Sequence, residues 1–318
     1  MKIALFLRVA LVGLFGIAGG PHIFASPPEE IRVVAYNVEN YLSMERFVEG
    51  QREDNAPKPE ANKASVVKIL IELNADVIGL SEIGTKEDLE DLRKRLKEAG
   101  IDYPHVEYAG GSDPVRHLAL LSRFPIVARD SKDDLPYQLH GRIERMQRGI
   151  LDVQVDFGDQ KPVRFIVVHL KSKREVPAGQ ALIRRNEAQI LRRVVSEILA
   201  EKPDSRLVVM GDLNDTKNEP PLQEIQGEKG SATHLFDLPL VDSMGDRWTH
   251  YWSHADIYSR IDFILVNQTM RGLWDEARST IPRWENWREA SDHRPLLAVF
   301  RLSGAVNVSS AAPTNPEP

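Results

Sequence analysis

Short apolar blocks recur from end to end of the chain, separated by charged and Gly- or Pro-containing stretches. Residues 31–36, 76–81, 118–122, 163–169, 206–210, 261–266 and 296–302 are rich in β-branched and aliphatic side chains and are predicted to be strands. Residues 150–157 alternate Leu151, Val153, Val155 and Phe157 with Asp152, Gln154 and Asp156, which is the two-residue period of a strand with one wetter face. Helical spacing appears in residues 63–73, where Val66, Val67, Leu70 and Leu73 share a face. Thr85 with Asp88 has the form of a capping box ahead of Leu89, Leu92 and Leu96, and Gly100 supplies the stop. Residues 181–200 place Ile183, Glu187, Ile190, Val194 and Ile198 on one stripe, with Leu191 and Val195 beside it. The charged residues 45–62 read as a surface loop. Helices interspersed among strands, without repeat or linker, imply one α/β domain of two packed sheets.

Composition narrows the class. The 318 residues are 42% hydrophobic and 28% charged, ordinary for a globular protein, which excludes a disordered or collagen-like chain. The formal charge of −6 is not that of a dedicated duplex-binding protein, although a local basic cleft is compatible with it. The absence of cysteine excludes disulfides, thiolate metal sites and a cysteine nucleophile. Lys2 and Arg8 precede an apolar run over residues 9–18, which Gly19, Gly20 and Pro21 break before Ile23-Phe24-Ala25. That is the layout of a cleavable signal peptide, and the run falls short of the ~20 residues of a spanning helix. The expected organisation is a signal peptide over residues 1–25, a folded domain over 26–304 and a disordered Pro- and Asn-containing tail over 305–318. A secreted or periplasmic protein with no stable membrane anchor follows, and no obligate protein partner is evident.

The polar residues at strand ends carry the chemistry. Residues 31–36 run into Asn37-Val38-Glu39, 76–81 into Glu82, and 165–168 into His169. Residues 207–210 run into Gly211-Asp212-Leu213-Asn214, and Ser291-Asp292-His293 precedes the last strand. Asp262 lies between Ile261 and Phe263, where a carboxylate needs a partner. If these ends meet, five carboxylates share one place with two histidines and two asparagines. A hard divalent cation would compensate them, and oxygen donors without thiolate suit Mg²⁺, Mn²⁺ or Ca²⁺.

In order along the chain, Asn37-Val38-Glu39, Leu80-Ser81-Glu82, Val168-His169-Leu170, Gly211-Asp212-Leu213-Asn214, Arg260-Ile261-Asp262 and Ser291-Asp292-His293-Arg294-Pro295 resemble the endonuclease/exonuclease/phosphatase superfamily. The segment Leu118-Ala119-Leu120-Leu121-Ser122-Arg123-Phe124-Pro125 is similar to a family strand and turn. The resemblance implies a four-layer α/β/β/α sandwich with a site at one rim between the sheets, and an enzyme hydrolysing phosphoric esters with a divalent metal. It implies Glu82 as the principal metal carboxylate, with Asn37, Glu39 and Asp292 completing the inner or water-mediated shell. It gives Asp212 the attacking water, Asn214 the phosphate or nucleophile, and the His293–Asp262 pair a contact to the scissile phosphate. His169 becomes a second phosphate ligand or the proton donor to the leaving oxygen. Whether Asp212 or His293 activates water stays open.

Substrate is less determined. Asp215-Thr216-Lys217 after the Gly-Asp-Leu-Asn motif, and the lack of cysteine, set the chain apart from the inositol polyphosphate phosphatases of the superfamily. The best reading is an exported endonuclease acting on nucleic acid. The alternatives are a phospholipase C- or sphingomyelinase-like enzyme and a catalytically inactive binding module on the same fold. Arg142, Arg145, Arg148, Lys171, Lys173 and Arg174 are candidate backbone contacts for nucleic acid. Trp284 and Trp287, and separately Trp248, Tyr251 and Trp252, are candidate aromatic contacts.

Overall fold

The computed structural model describes residues 27–302. The expected signal peptide and tail lie outside the described residues. The chain begins with β1 (Glu30–Tyr41), β2 (Met44–Val48), β3 (Gln51–Ala56), α1 (Glu60–Leu73), β4 (Val77–Ile83) and α2 (Lys86–Glu98). It continues through β5 (His105–Ala109), β6 (His117–Ser122), β7 (Ile126–Arg129), β8 (Pro136–Leu139), β9 (Arg142–Arg145), β10 (Leu151–Val155) and β11 (Val163–His169). Then follow α3 (Gln180–Glu201), β12 (Arg206–Asp212), α4 (Pro220–Gln226), β13 (Phe236–Asp237), β14 (His250–Trp252) and β15 (Ile257–Ser259). The last elements are β16 (Asp262–Val266), α5 (Gln268–Arg271), α6 (Trp287–Ala290) and β17 (Leu296–Arg301).

Two mixed sheets form the centre. One has the order β17-β1-β4-β6-β5, the other β13-β16-β12-β11-β10-β7. Only β1–β4 and β11–β12 are parallel pairs within them. Strand alternation explains the layering. Val33 and Ala35 of β1 face Val167, Met210 and Ile264 of the other sheet in a shared core, whereas Val34 and Tyr36 pack under α1 with Val66 and Leu70. On the far side, Val168, Val209 and Leu265 pack under α3 with Leu191 and Val195. Helices, sheet, sheet and helices make the expected four-layer α/β/β/α sandwich. Thr85 caps α2, with its side chain and that of Asp88 bonded reciprocally to backbone N–H groups.

Residues 45–62 correct one expectation. Instead of a loop they form the hairpin β2–β3 and the first turn of α1. Glu49 and Gly50 both have positive φ, 51° and 80°, the two-residue turn that matches strand twist. Charge concealed the hairpin because it stands in solvent on both faces, with Phe47 exposed. Among the described residues no helix is long and apolar enough to cross a membrane.

Candidate active site

The site is the open end of the core between the sheets. Inward-facing rows run Val33, Ala35, Asn37 on β1, Phe165, Val167, His169 on β11, Val208, Met210, Asp212 on β12, and Val266, Ile264, Asp262 on β16. Each row is apolar until its last position, which is polar and lies at the rim. His169 is the register partner of Asp212, and Asp212 of Asp262, so three polar side chains stand abreast.

Asp212 Oδ2 is the hub. Asn37 Nδ2 donates to it at 3.0 Å across the gap between the sheets. His169 Nε2 lies 3.5 Å from it and His293 Nε2 3.7 Å. Its other oxygen accepts the Asn214 backbone N–H at 2.8 Å. Two carboxylates opposite each other on neighbouring strands repel, and His293 offsets this by standing between them, its Nδ1 2.8 Å from Asp262 Oδ2. Burial works against the imidazolium, but the charges of Asp262 and Asp212 outweigh it and hold the His293 pKa well above the ordinary value. Burial, then the charge of Asp262, pushes Asp212 up to about 7. His169 goes the other way: burial, then the positive charges of Arg148 and His293, hold it well below the usual imidazole range.

Backbone bulges re-aim the acidic residues of the first sheet. The β1–β4 register shifts after Asn37, and the β4–β6 register shifts between Ser81 and Ile83. Glu39, Asn40 and Glu82 there adopt φ of 45°, 53° and 66°, a left-handed region that non-glycine residues seldom enter. Glu82 Oε2 accepts the Asn40 N–H at 2.9 Å, and Oε1 lies 3.9 Å from His169 Nε2. The Glu39 carboxylate lies 3.3 Å from Arg288. Burial foremost, then the charge of Asp292, raises its pKa. Asn214, with φ of 52°, donates from Nδ2 to the Leu170 carbonyl at 3.0 Å. Gly211 sits at φ of +134°, where a Cβ would fall 2.0 Å from the Val168 carbonyl oxygen.

The structure thus brings Asn37, Glu82, His169, Asp212, Asp262 and His293 into one linked set, with Glu39, Asn214 and Asp292 at its margins. Four neighbours were not found from sequence. His250 Nε2 lies 3.7 Å from Asp292 Oδ2, and its ring is 4.7 Å from that of His293. Burial would raise Asp292, but the hydrogen bond with His250 and the charges of His293 and His250 outweigh this and bring it to about 2. Arg116 Nε donates to Asn40 Oδ1 at 2.9 Å, and the buried Lys58 Nζ donates to the Glu39 carbonyl at 2.8 Å. Arg288 is the fourth. The overlooked signal is direction: β6 begins at the rim where β4 ends, so the residue before it, Arg116, belongs to the same rim.

Most of the expected nucleic-acid contacts are engaged elsewhere. Arg148 is buried beside Asp113, Arg145 pairs with Asp134, and Lys173 pairs with Asp215. Lys171 is buried, bonding Ser172 and the Arg174 carbonyl. Arg142 is exposed on β9. The two aromatic groups join into one chain of rings: Trp287 lies 5.2 Å from Trp248, Trp248 4.7 Å from Tyr258, and Tyr258 stacks on Tyr251 at 4.5 Å. Trp252 projects from the same hairpin, 52% exposed.

The donor set fits a hard cation. Its candidate ligands offer carboxylate and amide oxygens, and Asp212, Asp262 and Glu82 stand close together there.

Solved structures share this architecture. The catalytic domain of human nocturnin, determined with a bound sulfate anion, superposes with a TM-score of 0.61 at 16% identity, over 86% of this chain and 94% of that one. An endonuclease/exonuclease/phosphatase from Beutenbergia cavernae gives 0.58 at 20% identity, over 87% and 73%. The beta toxin of Staphylococcus aureus gives 0.57 at 15%, over 84% and 99%. No curated protein matches the chain. The sequence profile of the Endonuclease/Exonuclease/phosphatase family matches residues 33–238, most of the chain, and the protein belongs to that family.

Proposed function

We propose that the protein is an exported, divalent-metal-dependent phosphodiesterase that cleaves nucleic acid as an endonuclease. The family consists generally of hydrolases of phosphoester bonds. The observation that carries the reading is the Asp212 hub, joined across the gap to Asn37 of the first sheet and to His293, which precedes β17 of that sheet and is paired with Asp262 of the second.

Glu82, Asn37 and Asp292 would hold Mg²⁺ or Mn²⁺, with Glu39 acting through water because Arg288 occupies its carboxylate. When bound, such a cation supplies Lewis-acid polarisation of the phosphoryl oxygen and neutralises charge. Asp212 orients the attacking water and takes its proton, a role suited to a carboxyl raised to about 7. His293, held protonated by Asp262, sets positive charge against the phosphate oxygens. His169, held neutral, serves as a hydrogen-bond donor to phosphate rather than as an acid. Asn214 keeps its amide oxygen and second N–H for water or phosphate. The exposed Trp252, Ile257 and Tyr258 beside the site favour a second reading, phospholipid hydrolysis at a membrane surface.

The test is plasmid nicking by the mature chain with Mg²⁺, beside EDTA and His293→Ala controls. Nicking that both controls abolish is expected. A folded protein that leaves plasmid intact but releases headgroups from phospholipid vesicles would move the function to lipid.

A further inference from the structure

Away from the catalytic rim, a cleft of about 670 Å³ lies along the β13 edge of the second sheet. Its lining combines Phe236 and Trp274 with Lys217, Lys229 and Arg271. Among the described residues, none of these three cations has a carboxylate within the 4.0 Å of an ion pair. Asp237, the carboxylate next to Phe236, is taken by Arg260 through two hydrogen bonds of 2.6 and 2.9 Å. Glu276 is the remaining acidic group of the lining. A protein of net charge −6 therefore carries here a concave surface of the opposite sign.

The cleft also presents a guanidinium laid on an aromatic ring. The Arg271 guanidinium lies 4.2 Å from the Phe236 ring centroid, and His234 meets that ring edge-on at 4.8 Å. Nucleobases stack on aromatic rings and on guanidinium planes. Arg192 of α3 fixes the loop that carries Lys229, donating to the Ile225 and Thr233 carbonyls at 3.2 and 2.8 Å. Gly227 makes room for it: a Cβ there would fall 2.5 Å from the guanidinium carbon.

Position ties the cleft to the catalytic rim. Lys217 follows Asn214 in the same loop. Phe236 is the register partner of Val266, four residues along β16 from Asp262, about 13 Å at the rise of a strand. A polynucleotide with a phosphate at His293 reaches the cleft within a few nucleotides.

We propose that this cleft binds one nucleotide of a single-stranded segment flanking the scissile phosphate, the base on the Phe236–Arg271 stack and the backbone on Lys217 and Lys229. The inference rests on the phosphodiesterase reading above and assigns its substrate a second point of attachment.

The test compares the wild type with a Lys217→Ala/Arg271→Ala variant, both positions being exposed. With Mg²⁺, the variant should hydrolyse bis(p-nitrophenyl) phosphate like the wild type, while its KM for an 18-nucleotide single strand rises about tenfold. The slope of log affinity for that strand against log salt should flatten by about 0.7, for the one phosphate that Lys217 no longer neutralises. A mononucleotide should inhibit far more weakly than the oligomer. Unchanged KM and salt slope, with the small ester still hydrolysed, would overturn the cleft and leave the catalytic reading standing. If the wild type hydrolyses neither substrate, the catalytic reading fails, and fluorescence anisotropy of the labelled oligomer decides the cleft by itself. Anisotropy equal for both proteins overturns it, as does a variant defect confined to anionic phospholipid vesicles.

Discussion

Replacing Asp242 by Asn should cost the fold ~3–5 kcal/mol at neutral pH, the loss expected when one partner of a buried ion pair is removed. Arg294 is 1% exposed, and its guanidinium donates to Asp242 Oδ2 at 2.8 Å and to the Trp248 carbonyl at 3.1 Å. The same group lies 3.5 Å from the Trp248 ring centroid. Asp242 also accepts the backbone N–H groups of Met244 and Asp246, both at 2.9 Å, and Arg283 at 3.0 Å. Asn keeps the shape and removes the charge, so Arg294 is left buried without a counter-ion. Against a total stability of ~5–15 kcal/mol that is a large fraction. The pH dependence has a definite sign. Burial would raise the Asp242 carboxyl, but Arg294 and the backbone donors outweigh it and hold it below its ordinary value of 3.8. A depressed carboxyl stabilises the fold above the unfolded value and loses that contribution as pH falls through the folded one. The deficit of the variant should therefore be full at pH 7 and shrink as pH falls from 3.8, where the unfolded chain takes up its proton, through the lower value at which native Asp242 does. Urea unfolding at pH 7 and in acid, followed by tryptophan fluorescence, measures both. A deficit below ~1 kcal/mol at pH 7, or one undiminished in acid, would refute the reasoning. An Asp242→Leu/Arg294→Met double replacement should recover only the part due to the unpaired Arg294, because the Met244 and Asp246 N–H groups still lose their acceptor.

Glu187→Ala should cost ~2–6 kcal/mol in urea unfolding, since the backbone N–H groups of Gln147 and Lys171, at 3.0 and 2.6 Å, lose their buried acceptor at ~1–3 kcal/mol each; a change under ~1 kcal/mol would show that they find others. Gly211→Ala should abolish soluble expression because its Cβ meets the Val168 carbonyl, and a soluble, active variant would contradict the described turn. His293→Ala should keep its circular dichroism spectrum and lose on the order of 10²–10⁴-fold in kcat, with wild-type turnover sinking the assignment. Dialysis against EDTA should abolish hydrolysis, and adding Mg²⁺ back should restore it and raise Tm; a Tm indifferent to Mg²⁺ would count against the site.

Much of the site was legible because each inward row breaks its apolar run at a definite point. Ala35 gives way to Asn37, Val167 to His169 and Met210 to Asp212, and a two-residue period shows such breaks directly. The buried Glu187 was legible only as a member of a helix stripe. Its carboxylate is tolerated there because two loops bring backbone donors to it, a fact of tertiary structure. Lys58 was hidden inside a segment read as loop, and His250 stood among aromatics that drew the attention. The hairpins β8–β9 and β14–β15 carry too few buried residues for hydrophobic pattern to mark them.

The placement of β17 has a consequence for synthesis. It closes the first sheet by pairing with β1, and Asp292 and His293 stand just before it. A ribosome therefore delivers Asn37 and Glu82 early and His293 only when the domain is nearly complete. A nascent or prematurely ended chain that stops short of residue 290 has no imidazolium to separate Asp212 from Asp262, and it presents β1 as an open edge able to pair with other chains. A complete Asp212–His293–Asp262 set and a covered β1 edge are thus acquired in the same final step, so under the proposed function activity would report that the last strand has been made and docked.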